Sequence, residues 1–112
     1  MGLYFNSCKS NYESSSIVIF GAPYDGTTSY RPGTRLAPNR VRLESVGIET
    51  YSPYLDKEMT DYKIHDAGDT EIALGNTEKT LNSIYKSAKT YFKDNKKTLM
   101  IGGEHLVSYP NI

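Results

Sequence analysis

The order of apolar runs and amphipathic stretches predicts an α/β fold on a parallel sheet, and three observations carry that reading. Ile17-Val18-Ile19-Phe20 is an unbroken β-branched and aromatic run closed by Gly21, the pattern of a strand buried on both faces; a half-exposed strand would alternate. Leu81, Ile84, Tyr85, Ala88, Tyr91 and Phe92 recur at helical spacing and form one apolar stripe. Thr98-Leu99-Met100-Ile101 is a second short apolar run, again ended by glycine. The resulting order is strand, long loop, helix, strand, helix, strand. Right-handed crossovers then set the strands parallel, with helices on the two faces.

Each element has its own local justification. The chain of 112 residues allows one domain or part of one, with residues 1–15 expected as a polar lead and 16–112 as the folded part. The loop from Ala22 to Gly33, rich in Gly, Pro and hydroxyls, exceeds the usual connection of about 4–6 residues, and long ordered loops carry function. Pro38 suits the first turn of a short helix that turns Leu36, Leu43 and Val46 to one face and stops at a left-handed Gly47. Residues 48–62 show no sustained period and read as loop, and Lys63-Ile64-His65-Asp66 reads as a short strand ending in an Asp66-Ala67-Gly68-Asp69 turn. The long helix begins with Asn76 as cap and Glu78 in its first turn. Lys93, Lys96 and Lys97 suit the exposed carbonyls at its end and read as a solvated face.

Composition narrows the partners. Thirteen basic residues balance thirteen acidic ones, so no net field holds a nucleic-acid backbone or an anionic bilayer. The longest apolar run is far below the ~20 residues that cross a membrane. The lone Cys8 has no partner for a disulfide and no adjacent base, which points to a free thiol in a reducing, cytoplasmic setting.

In parallel sheets, ligands collect beyond the carboxyl ends of the strands, here Pro23 to Gly33, Asp66 to Asp69 and Gly102 to His105. Two glycines followed by Glu104 and His105 let the backbone turn sharply and aim an imidazole into the crevice, so His105 is the candidate metal ligand. A satisfied structural histidine fits the same spacing. His65, inside a strand, reads as a core or edge histidine. Asp66 and Asp69 suit metal ligation, the orientation of a ligating His, or simply a tight turn. Gly102-Gly103 lacks both phosphate-loop patterns and a basic neighbour, which argues against nucleotide binding. If the backbone stays extended through Gly103 to His105, alternation turns Glu104 away from whatever His105 faces.

The run Gly21-Ala22-Pro23-Tyr24-Asp25-Gly26-Thr27-Thr28-Ser29-Tyr30-Arg31-Pro32-Gly33, with Pro38 and Arg42, resembles the amino-terminal signature of the agmatine-hydrolysing branch of the ureohydrolase (arginase/agmatinase) family. Asp66-Ala67-Gly68-Asp69 is similar to that family's Asp-x-Gly-Asp turn, and Gly102-Gly103-Glu104-His105 to its first metal motif. Glu104 and Leu106 stand where arginases usually place Asp and Ser, which leans the resemblance toward agmatine over arginine. The likeness runs from about residue 17 to 110 and implies a three-layer sandwich around a parallel sheet, two manganese ions and His105 as a manganese ligand. It further implies a small guanidinium substrate, attack of a metal-bridging hydroxide on the guanidinium carbon, and a homo-oligomer. The family's later aspartate-rich motifs have no counterpart here, so no catalytic residue is expected within these residues, and the chain alone is expected to be inactive. Two alternatives stand beside the amino-terminal part of an agmatine hydrolase: guanidinobutyrase or another amidinohydrolase, and a non-catalytic α/β binding or assembly module.

Overall fold

The computed structural model describes residues 4–26 and 32–111; the middle of the signature loop, residues 27–31, lies outside them. Strand β1 (Ile17–Ala22) is the centre of a three-stranded sheet. Helix α1 (Ala37–Ser45) follows a 3-10 turn, and a small hairpin, β2 (Tyr51–Ser52) and β3 (Lys57–Glu58), comes next. Strand β4 (Ile64–Asp69), helix α2 (Thr77–Lys93) and strand β5 (Lys97–Gly102) complete the layers. Both β4 and β5 run parallel to β1, in the order β4-β1-β5, as the α/β reading requires.

The central strand is buried on both sides because alternate residues enter two clusters. Phe20 and Ala22 join Tyr24, Ile84 and Val107 beneath α2, while Ile19 joins Cys8 and Ile64 on the opposite face. The cap of α2 is Asn76, whose side chain accepts from the Lys79 N–H at 3.0 Å. Its buried line runs through Thr80 and Ile84, whereas Tyr85 and Phe92, on the edge of the apolar stripe, are exposed.

Several expectations need correction. Helix α1 buries Pro38, Arg42 and Ser45, and leaves Leu36, Leu43 and Val46 exposed. The expected face was the apolar one, but three carboxylate-directed bonds make the arginine face the one that fits the sheet. Gly47 does not enter the left-handed region; the helix end tightens instead through the Gly47 and Ile48 N–H groups donating to the Glu44 and Ser45 carbonyls. Residues 48–62 contain the hairpin, with Tyr51 opposite Glu58 and Ser52 opposite Lys57; two-residue strands are too short to show a period. Asp66 to Asp69 is not a turn after β4 but its continuation, with the register to β1 shifting between Ile19 and Gly21.

Residues 4–15 do not lie ahead of the folded part. Cys8 is fully buried, the Asp66 N–H donates to the Cys8 carbonyl at 3.0 Å, and the Ser10 N–H donates to the Ile64 carbonyl at 3.1 Å. An antiparallel bridge pairs Lys9 with His65, so the lead lies along the outer edge of β4. Polar composition concealed this packing because backbone bonds, rather than apolar area, supply most of it. Lys96 likewise leaves the solvated face assigned to it: its ammonium donates to the carbonyls of Tyr12, Glu13 and Ser15 at 2.7, 3.4 and 2.6 Å. Among the described residues no helix is long and apolar enough to cross a membrane.

Candidate functional site

Parallel strands deliver the ends of β1, β4 and β5 to one side of the sheet, with Gly21 opposite both Asp69 and Ile101. Beyond β1, the chain enters the signature loop through Tyr24, whose buried ring places its hydroxyl in hydrogen-bond contact with that of Thr77. Asp25 then clasps the far side of the loop. Its Oδ2 accepts from the Gly33 N–H at 2.6 Å, the Arg35 N–H at 3.4 Å and the Arg35 guanidinium at 3.0 Å. The Gly33 amide, followed by the Arg35 amide and guanidinium, holds the Asp25 carboxyl below the usual carboxylate range against the opposing effect of burial.

The end of β4 carries the strongest charge arrangement among the described residues. Arg42 is 1% exposed and reaches from α1, donating from Nε and Nη2 to the two oxygens of Asp66 at 2.9 and 3.0 Å. Its Nη1 donates to Asp69 at 2.7 Å and to Asn39 at 3.1 Å. A planar fork meeting a carboxylate in this two-bond geometry is the arrangement arginine is built for. Burial alone would raise the Asp66 carboxyl, but the Arg42 hydrogen bonds, the Gly68 and Phe5 amides and the Arg42 charge together hold it below its ordinary range. The same carboxylates hold the guanidinium of Arg42 in its charged form, against its burial. Asp66 and Asp69 are therefore committed to Arg42. Sequence reading placed Arg42 in a signature without a structural role; the available signal was an arginine four residues after Pro38, with two aspartates three apart on a strand.

Beyond β5 the chain bends at Gly102-Gly103 and enters a 3-10 helix over His105–Asn111. The extended backbone expected from Gly103 to His105 is thus absent, because the Glu104 N–H turns back to donate to the Tyr24 carbonyl at 2.9 Å. Side chains 104 and 105 still part company, Glu104 being buried and His105 exposed. The glycines serve this close approach. A Cβ on Gly103, whose φ is +60°, would stand 2.4 Å from the Ala22 carbonyl oxygen and 2.6 Å from that of Tyr24.

His65 sits elsewhere, with Nδ1 2.8 Å from the Ser10 carbonyl oxygen and its ring edge-on to Tyr12 at 5.7 Å. It is a packed edge histidine, as its place in a strand suggested. Cys8 is a buried thiol, pushed up to about 11 by its burial and by the Asp66 charge, far from the range of a nucleophile at neutral pH. Among the described residues no three His, Cys, Asp or Glu side chains converge as a metal site, so these residues do not by themselves fit a two-metal centre. His105 lies at the carboxyl end of the sheet, exposed at the start of the 3-10 turn that follows β5.

Comparison with known proteins follows the same residues. Residues 15–112 match the arginase family. An agmatinase of Halalkalibacterium halodurans is 45% identical over 97% of this chain, and an agmatinase of Bacillus subtilis is 40% identical over 99% of it. The solved agmatine ureohydrolase of Thermoplasma volcanium superimposes with a TM-score of 0.92 at 27% identity, over 99% of this chain and 38% of that one. The chain likewise spans 38% of the length of each of the two agmatinases.

Proposed function

The chain belongs to the arginase family, and from that premise we propose that it is the amino-terminal part of a ureohydrolase that releases urea from a small guanidinium compound, with agmatine giving putrescine and urea. The agmatinases at 40% and 45% identity support that substrate. The observation that carries the reading is the bond from the Glu104 N–H to the Tyr24 carbonyl, which draws the His105 turn against the signature loop at the carboxyl end of the sheet. In this reading, His105 supplies one donor to manganese, and the remaining donors come from the length that the relatives have beyond what this chain spans. Asp25 closes the base of the loop that walls the site. A cytoplasmic setting and assembly into a homo-oligomer belong to the same proposal.

The test is made on the complete protein. His105→Ala removes one imidazole at an exposed strand end, so the expected outcome is loss of a manganese equivalent after dialysis, activity lower by orders of magnitude, and an unchanged circular dichroism spectrum. His65→Ala, away from the site, is expected to keep its metal. Full metal content and full activity in His105→Ala would overturn the assignment.

A further inference from the structure

The amino-terminal lead is attached to the body in a distinctive way. Its buried residues are the small Cys8 and Ser15, with Phe5 half-buried beside Cys8, so little apolar area holds it. Charge does the rest at both ends. Near the start, the Phe5 N–H donates to Asp66 Oδ2 at 2.8 Å, and the Asn6 N–H donates to Ser45 Oγ at 2.9 Å. At the far end, the Lys96 ammonium holds the carbonyls of Tyr12, Glu13 and Ser15 and lies 4.7 Å from the centre of the Tyr12 ring, whose hydroxyl donates to Asp94 at 2.5 Å. Between the clamps, the Lys9–His65 bridge, its neighbouring backbone bonds and the His65 ring, with Nδ1 2.8 Å from the Ser10 carbonyl oxygen and edge-on to Tyr12, fasten the lead to β4.

We propose that residues 5–15 form a releasable strap over the outer edge of β4, held by an anionic clamp at Asp66 and a cationic clamp at Lys96, and that it opens as a unit while the sheet and α2 stay folded. Segments with few buried apolar contacts are the ones that open below the global unfolding free energy. Opening bares the hydrogen-bonding edge of β4, so the strap governs whether that edge is available to another strand.

Cys8 reports the event, since its thiol is reachable only when the strap lifts. The experiment measures the rate of Cys8 alkylation in the full chain against urea, by mass spectrometry of the peptide that contains it. Global unfolding is followed in parallel by circular dichroism. In the unaltered protein, labelling is expected to depend on urea far less steeply than unfolding does. Lys96→Met is expected to label about tenfold faster or more with the same helical signal, the effect of losing a charge-assisted clamp. Lys93→Met, at an exposed neighbour on α2, is expected to label at the unaltered rate. Labelling that follows the urea dependence of global unfolding would overturn the proposal, as would equal rates in the Lys96 and Lys93 variants.

Discussion

A guanidinium taken out of water needs its charge answered within a few ångströms, and Arg42 finds two carboxylates and an amide oxygen there. Asp66 is depressed in the folded chain relative to its ordinary value of 3.8, so its contribution is present above that value and is lost as pH falls through the lower folded one. Asp66→Asn leaves Arg42 buried with its charge only half answered. Urea unfolding at pH 7 should show a loss of about 3 kcal/mol or more, since breaking a buried pair costs ~3–5 kcal/mol. The variant should also lose less stability than the unaltered chain between neutral and strongly acidic pH, because one depressed carboxyl no longer titrates. Parallel stability curves for the two proteins over that range would contradict this account of Asp66.

At the scale of the element, the two helices teach opposite lessons. Helix α2 is legible because its cap, its first-turn acid and its apolar spacing all agree. Asn76→Ala should therefore cost about 1 kcal/mol, read as a shift in the urea midpoint with an unchanged slope. A midpoint that does not move would mean that the Lys79 N–H finds water equally well. Helix α1 misleads because apolar periodicity says which face repels water, not which face this sheet accepts; an arginine with hidden carboxylate partners looks like a surface residue. The Asp66–Asp69 stretch misleads for the same reason, as its turn-forming letters are ion-pair partners at the end of a strand. The hairpin at Tyr51 and the lead at Cys8 escape notice because backbone bonds, which leave little trace in side-chain pattern, hold them in place.

Across the whole molecule, the two edges of the sheet are treated differently. The lead covers β4, whereas among the described residues β5 pairs only with β1. Beside that second edge, Tyr85, Phe92, Leu99 and Tyr109 are exposed, with Leu99 at 55% and Phe92 at 80%. An unpaired parallel edge flanked by apolar surface is a template for association. The 112-residue chain by itself should accordingly sediment as a concentration-dependent mixture of species. A single monomeric boundary with reversible, concentration-independent unfolding would count against this. The parallel sheet and the gathering of polar segments at one end were legible from the order of segments. The commitment of Asp66 and Asp69 to Arg42 was not, since it depends on how α1 is rotated against β4.

The crowding around Gly103 also bears on how relatives should be sorted. A side chain there would strike the Ala22 and Tyr24 carbonyls whatever chemistry the site performs, so the glycine answers to architecture. A descendant that had abandoned catalysis would still need it to fold the turn, and its persistence would certify nothing about activity. Position 105 is under no such backbone constraint, because its side chain is exposed on a 3-10 turn. A lapsed enzyme could exchange its imidazole there without disturbing the scaffold. If His105 holds metal as proposed, the letter that separates working members from silent ones is the one after Glu104, and the glycines before it are no guide.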